Sequence, residues 1–112
     1  MCTQNEAIVI MHEVYAACKA IFGEVKEAYL YGSYARGDYH NESDVDILVT
    51  VNRTQEEISD LTMDIAHISS ELSLKHNVTV SIAVKPAEQF EMYRLALPYY
   101  SNVVREGIRY AG

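Results

Sequence analysis

The sequence predicts an α/β (α+β) fold, in which a small mixed β-sheet carries helices packed on one face. Two observations support this fold class. Residues 44–51 and 77–84 are rich in β-branched side chains in an alternating pattern, which is typical of strands with one buried face. Residues 5–22 and 54–72 place apolar side chains at helical spacing, which is typical of amphipathic helices.

Composition indicates a single folded domain over residues 1–112. Hydrophobic residues make up 49% of the chain and charged residues 22%, which argues against a disordered protein. No apolar run approaches the roughly 18 residues that a membrane span needs, and the N-terminal stretch lacks the basic cluster of a signal peptide. We therefore expect a cytoplasmic protein with no membrane partner. Cys2 and Cys18 are too few for a disulfide framework.

The first element is a helix over residues 5–22, which Gly23 ends. The first strand covers residues 27–31 and runs directly into Gly32 and Ser33. Glycine lets the backbone come close to an anion and adopt positive φ, and serine adds a hydroxyl donor to the N–H groups of the turn. This turn is therefore a candidate for binding the phosphates of a nucleotide.

Arg36 follows a few residues after the turn, with Gly37 behind it. A guanidinium group is suited to negative charge on a phosphate, because its donors form a planar fork. Arg36 therefore joins the candidate nucleotide-binding residues.

The second strand, residues 44–51, brings two carboxylates to one face. Successive strand side chains point to opposite faces, so Asp44 and Asp46 share one side and the alternating apolar residues share the buried side, namely Val45, Ile47, Val49 and Val51. Two carboxylates held side by side repel each other unless a cation lies between them, and Mg²⁺ accepts such ligands together with water and phosphate oxygens. Asp44 and Asp46 are therefore the candidate metal ligands and catalytic residues.

The remaining segments supply the scaffold. Thr54 and Glu57 form a predicted capping box, and an apolar stripe at helical spacing continues to residue 72. With the first helix, this stripe would cover one face of the sheet. Pro86 and Pro98 stand where first helical turns accept proline, and Gly107 is predicted to end the last helix.

The central run resembles the signature of the minimal nucleotidyltransferases, small bacterial and archaeal members of the DNA polymerase β superfamily. Their pattern is Gly-Ser, ten residues and Asp-x-Asp, which is matched by Gly32, Ser33, Asp44 and Asp46. The core match covers residues 28–51, and weaker similarity at 84–90 and 99–107 extends the likeness over most of the chain. The resemblance implies the nucleotidyltransferase fold in one minimal domain.

The resemblance also implies a third carboxylate, and here the sequence departs from the pattern. In active relatives, an aspartate on a later strand faces the Asp-x-Asp pair and is expected to bind a second metal and help deprotonate the attacking hydroxyl. An alignment anchored on Phe90 puts Thr79 at that position, with Ser81 as the alternative if the register shifts by two. A hydroxyl carries no negative charge and is a poor base near neutral pH. Nucleotide and metal binding are expected, whereas efficient transfer stays open.

Three functions are compatible with these residues. The first is a Mg²⁺-dependent transfer of a nucleoside monophosphate from a nucleoside triphosphate, with ATP as the expected donor, to a hydroxyl of a partner protein. For this function the resemblance implies a HEPN-type toxin as partner and an antitoxin role. The second is a catalytically weakened module that binds nucleotide and partner. The third, a nucleotidyltransferase acting on RNA ends or small molecules, is least favoured, because the chain lacks room for a second substrate domain.

Charge and aromatic residues refine these hypotheses. The net charge of −7 and the lack of a Lys/Arg stripe make nucleic acid the less favoured partner, while a homo-oligomer stays open.

Tyr34 and Tyr39 flank the Arg36 loop and have two equal interpretations, nucleobase stacking or half-buried packing. His40 is predicted to be a solvated loop residue. Half-buried packing is favoured over a partner surface for the late tyrosines, which are Tyr93, Tyr99, Tyr100 and Tyr110.

Overall fold

The computed structural model describes residues 2–111, over which the chain forms six helices and four strands. In chain order they are α1 Gln4–Phe22, β1 Val25–Tyr31, α2 Ser33–Arg36, β2 Val45–Val51, α3 Gln55–Asp60, α4 Thr62–His76, β3 Val80–Pro86, α5 Ala87–Tyr93, α6 Pro98–Glu106 and β4 Ile108–Tyr110.

The strands form one mixed sheet in the order β3-β2-β1-β4. Strand β1 is antiparallel to both of its neighbours, β2 and β4, whereas β2 and β3 are parallel. A parallel pair needs a crossover connection, and α3 and α4 provide it. The structure therefore confirms the predicted mixed sheet.

The two long helices, α1 and α4, pack on one face of the sheet, as predicted. The strand side chains that face them are fully buried in β2, namely Val45, Ile47, Val49 and Val51. Burying each such side chain contributes about 1.5–3 kcal/mol relative to leaving it in water. Helix α1 has Thr3 as its N-cap, whose side chain accepts a hydrogen bond from the Glu6 N–H, and Gly23 as its C-cap, where φ is 82°.

The opposite face carries a second, smaller apolar cluster, which adds to the predicted arrangement. Helices α5 and α6 contribute Phe90, Tyr100 and Val103, which pack with Tyr29 and Leu48 of the central strands. The short helices after β3 therefore pack on the sheet face to which Leu48 belongs.

The capping box at Thr54 and Glu57 is present with both reciprocal hydrogen bonds. The predicted single helix is divided in two at Leu61, whose φ of −106° and ψ of 16° depart from helical values. The third strand begins at Val80 instead of residue 77, because Asn77 adopts a left-handed conformation that ends α4.

The C-terminal region contains one element that was not predicted. Pro86 precedes α5, Pro98 lies in the first turn of α6 and Gly107 ends α6, all as expected. Strand β4 then pairs with β1, with Ala28 opposite Tyr110. Among the helices of residues 2–111, none is long and apolar enough to span a membrane.

Candidate functional site

The turn after β1 is built around Gly32, which adopts φ 77° and ψ −157°. This conformation is accessible essentially to glycine alone. The residues that follow form the short helix α2, in which the N–H groups of Ala35 and Arg36 both donate to the Gly32 carbonyl at 3.1 Å. The N–H groups of Ser33 and Tyr34 precede these first internal donors, so they lie beside the Ser33 hydroxyl as donors for an external acceptor.

The two predicted acids stand at the start of β2. Asp44 is exposed immediately before the strand, and Asp46 is half-buried as its second residue. Val45 lies between the two acids, and its N–H donates to the Thr79 carbonyl at 2.8 Å. This hydrogen bond fixes the start of β2. Burial raises the pKa of the Asp46 carboxyl, the negative charge of Asp44 raises it further, and the Arg36 guanidinium opposes both effects. The two carboxylates are therefore close enough to repel each other.

The glycine turn and the acids meet in space. A Cβ added to Gly32 would lie 2.6 Å from Asp46 Oδ2, well inside van der Waals contact. This approach follows from the antiparallel register, which puts Tyr31 opposite Asp46 and so delivers Gly32 to the same end of the sheet. The structure thus brings together residues that lie 14 positions apart in the sequence, from Gly32 to Asp46.

Arg36 lies on the rim of this site. Its Nε donates to Asp38 at 3.3 Å and its Nη1 donates to Glu106 at 3.3 Å, and its side chain remains 43% exposed. Two carboxylates outside the site therefore hold the guanidinium at its edge, within reach of a polyanion that approaches the turn.

The donor set fits one divalent cation. Asp44 and Asp46 supply carboxylate oxygens from one side of β2, and a cation between them would relieve their repulsion. Over residues 2–111, no group of three or more His, Cys, Asp and Glu side chains converges on one point. Water and substrate phosphate would complete the octahedral shell of Mg²⁺, which usually keeps several waters.

The register of β2 and β3 shows which residues of the third strand lie beside the two acids. Asp46 pairs with Ser81 and Val45 pairs with Val80, so Ser81 lies next to Asp46 on the same face. Thr79, which the alignment anchored on Phe90 favoured, lies before the strand and contributes its carbonyl to Val45. Of the two candidates, Ser81 therefore pairs with Asp46, whereas Thr79 lies just before β3 and beside Val45. Which of them stands at the position of the family's third acid stays a prediction.

A tyrosine pair borders the site on the other side of Asp46, and sequence reasoning did not identify it. Tyr31 is the antiparallel partner of Asp46, and its hydroxyl lies 2.8 Å from the hydroxyl of Tyr99 in α6. Burial, followed by the hydrogen bond with Tyr99, raises the pKa of Tyr31. The alternation of β1 could have placed Tyr31 on this face, whereas the contribution of Tyr99 depends on how α6 packs.

The tyrosines of the loop serve packing. Tyr34 is buried in the main core, and its ring stacks on Tyr39 with centroids 4.4 Å apart and planes 15° apart. Tyr34 is therefore not available to a nucleobase. One face of the half-buried Tyr39 ring is covered by Tyr34. His40 is exposed in the loop, as expected, where its N–H donates to Ser43 Oγ and its Nδ1 accepts from the Glu42 N–H.

The late tyrosines divide into two groups. Tyr100 is buried and Tyr110 is half-buried, which confirms the packing interpretation for these two. Tyr93 and Tyr99 are each 42% exposed, so they add exposed aromatic surface at the end of α5 and the start of α6.

Comparison with known proteins agrees with this geometry. The sequence model of the nucleotidyltransferase domain family matches residues 11–110. A provisionally assigned protein adenylyltransferase of Methanocaldococcus jannaschii is 34% identical over 104 residues, which cover 92% of this chain and 95% of that protein.

Solved structures share the fold. A toxin–antitoxin complex with AMP-PNP contains a chain that superposes with a TM-score of 0.60 at 18% identity, covering 91% of this chain and 73% of that one. The complex of a tri-AMPylated Shewanella oneidensis HEPN toxin with an MNT antitoxin contains a chain that superposes with a TM-score of 0.56 at 15% identity. The match covers 95% of this chain and 73% of that one.

Proposed function

Because this chain belongs to the nucleotidyltransferase domain family, we propose that it transfers a nucleoside monophosphate from ATP or another nucleoside triphosphate to a hydroxyl of a partner protein. The approach of the Gly32 turn to Asp46 carries this proposal. That contact puts backbone donors for phosphate and carboxylates for a cation within one site, as phosphoryl transfer requires.

The triphosphate would be held by the turn. The hydroxyl of Ser33 and the N–H groups of Ser33 and Tyr34 supply neutral donors, and Arg36 adds a cation at the rim. These groups are positioned by the backbone of a short helix between two glycines, Gly32 and Gly37, both at positive φ. Little reorganisation is needed when an anion enters, so the donors contribute through their fixed position.

Asp44 and Asp46 would hold Mg²⁺, which when bound neutralises phosphate charge and polarises the bond to the leaving group. In the protein alone, burial and the neighbouring Asp44 raise the pKa of Asp46. Because Asp46 lies against the Gly32 turn, a cation held by these two carboxylates would lie beside the phosphates that the turn binds.

A protein acceptor is supported by charge and by the relatives. The net charge of −7 disfavours a nucleic-acid backbone as acceptor. The Methanocaldococcus jannaschii relative is provisionally assigned to protein adenylylation, and a structural neighbour is an antitoxin bound to an AMPylated HEPN toxin. We infer a HEPN-type toxin as the partner and neutralisation of that toxin as the biological outcome.

The test is transfer of label from α-phosphate-labelled ATP to a co-purified HEPN-type protein in the presence of Mg²⁺. We expect labelled partner with the wild-type chain and a loss of at least a hundredfold with Asp44→Asn, whereas Asp64→Asn, an exposed residue of α4, leaves the rate unchanged. Absence of labelled partner with Mg²⁺ or Mn²⁺ would end the proposal.

A second function is favoured by one observation, the position of Ser81 beside Asp46. If the missing acid reduces transfer to a negligible rate, the chain acts as a module that sequesters its partner. In that case Asp44→Asn still binds and neutralises the partner in co-purification and growth assays. Loss of neutralisation in Asp44→Asn, with partner binding intact, excludes this second function.

A further inference from the structure

The tyrosine pair beside Asp46 belongs to the same row of side chains as the candidate metal ligands. Tyr31, Asp46 and Ser81 are register partners across β1, β2 and β3, so all three project from one face at the same end of the sheet. Directly opposed strand residues have Cβ atoms about 4.5–5.5 Å apart. The Tyr31 side chain therefore stands next to the carboxylate of Asp46.

Tyr99 joins this row through its hydroxyl. The two phenol oxygens are 2.8 Å apart, and the rings meet edge to face with centroids 5.7 Å apart and planes 81° apart. Tyr100, the next residue, is buried in the second apolar cluster and fixes the first turn of α6. The Tyr99 hydroxyl is thus held at the site by packing and by one hydrogen bond.

Tyr99 is also accessible. The residue is 42% exposed, and it lies in the first turn of α6, just after the exposed Leu95 and Leu97. The phenol of Tyr99 therefore belongs to a partly exposed residue at the edge of a site that would hold a nucleoside triphosphate. Tyr31, by contrast, is half-buried behind it.

Resting on the proposed function, we propose that Tyr99 is an acceptor within the chain itself, so that the protein adenylylates its own Tyr99. The Tyr99 oxygen forms a bond to the α-phosphorus of ATP, and the bond between the α-phosphorus and the bridging oxygen of the β-phosphate breaks. Pyrophosphate leaves with the electron pair, and the phenolic proton passes to solvent. The Tyr31 hydroxyl, which shares a hydrogen bond with the Tyr99 hydroxyl, positions the Tyr99 oxygen for this attack.

Self-modification would fill the site with a covalently attached nucleotide. The adenylyl group would lie over the Asp46 face, where the next ATP must bind, so the modified chain would be a slower catalyst for any external acceptor. The reaction is intramolecular, because acceptor and site lie on one domain.

The experiment incubates the purified full chain with ATP and Mg²⁺ without any partner. We expect intact-mass spectrometry to show one added adenylyl group and peptide mapping to place it on Tyr99. The rate constant should be independent of protein concentration. Tyr31→Phe should lower the rate several-fold, and Tyr99→Phe should abolish the modification.

Tyr93→Phe is the matched control, because Tyr93 has the same exposure of 42% but lies in α5 near the far end of β2. This variant should be modified at the wild-type rate. Peptide mapping of the wild-type chain locates the adduct without relying on any variant, so loss of folding in Tyr99→Phe does not affect the conclusion.

Two outcomes overturn the inference. An adduct on another residue, or no adduct while the wild-type chain labels a HEPN-type partner, removes Tyr99 as acceptor and leaves the proposed function in place. If the wild-type chain labels neither itself nor the partner and ATP does not bind, the proposed function fails together with this inference.

Discussion

Ser81 lies opposite Asp46 across the parallel strands β2 and β3, at the place where a third carboxylate would face the candidate metal ligands. Its side chain is exposed and contributes a hydroxyl, and within residues 2–111 no third acidic side chain joins the two aspartates. This relationship links the strand register to the rate of the proposed transfer.

Ser81→Asp is expected to increase the transfer rate. A carboxylate at this position adds a metal ligand and a proton acceptor, and a tenfold gain corresponds to about 1.4 kcal/mol of the barrier. The measurement is the rate of label transfer from ATP at saturating Mg²⁺. Thr79→Asp is the matched control, and a gain confined to Thr79→Asp would contradict the register argument.

Gly32→Ala is expected to weaken nucleotide binding and to destabilise the fold. The new Cβ would meet Asp46 Oδ2 at 2.6 Å, and the positive φ of 77° is unfavourable for alanine. Backbone strain of this kind costs about 1–3 kcal/mol. Urea unfolding measures the stability loss, and calorimetry measures the affinity for ATP.

Gly37→Ala distinguishes the effect of backbone strain at positive φ from the effect of the steric clash with Asp46. Gly37 also has a positive φ, 89°, but a Cβ there would meet nothing within 4 Å. This variant should lose stability through strain alone and keep its affinity for ATP. Equal losses of ATP affinity in the two variants would show that the contact with Asp46 is unimportant for binding.

Much of the fold and part of the site could be predicted from the sequence. Alternation in β2 placed its valines in the core and its two aspartates on the other face, because the strand period is two. The register of β3 was beyond this reasoning. A shift of two residues keeps every side chain on its face, so Thr79 and Ser81 fit the pattern equally well, and only pairing with β2 distinguishes them.

Strand β4 and the Tyr31–Tyr99 pair show a second limit. Ile108–Tyr110 is three residues long, too short for a periodic signal, and it is a strand only because β1 pairs with it. Tyr99 reaches the site through the packing of α6, which leaves no local trace in the sequence. Both features depend on contacts between residues far apart in the chain.

The pairing of β4 with β1 should depend on Glu27. This carboxylate is only 6% exposed and accepts hydrogen bonds from the Tyr29 hydroxyl and from Arg109 Nε of β4. Arg109→Ala removes a donor from a buried acceptor, which costs about 1–3 kcal/mol. We expect this loss in urea unfolding, with faster hydrogen exchange at the β4 amides.

A double-mutant cycle checks whether this effect is pairwise. Glu27→Gln combined with Arg109→Ala should destabilise the protein by less than the sum of the two single changes, because each variant already breaks the same ion pair. Strict additivity would mean that Glu27 and Arg109 act on stability independently.

The contact between α1 and α4 should make stability depend on pH. Glu13 accepts hydrogen bonds from Lys75 Nζ and His76 Nε2, each at 2.6 Å. Partial burial raises the pKa of the Glu13 carboxyl, but the bonds from Lys75 and His76 outweigh it, so the pKa lies below its ordinary value of 4.5. The ionised form is therefore favoured more in the folded chain than in the unfolded chain.

A carboxyl with a lowered pKa contributes stability that is fully present above its unfolded pKa and is lost as the pH falls through its folded pKa. Glu13→Gln should therefore lower Tm relative to wild type at pH 7, and the difference should shrink as the pH is lowered from about 5 toward 3. Glu71→Gln, which affects only the exposed pair with His67, is the control and should change Tm little throughout. A Tm difference for Glu13→Gln that stays constant from pH 7 to pH 3 would mean that packing, and not ionisation of Glu13, connects the two helices.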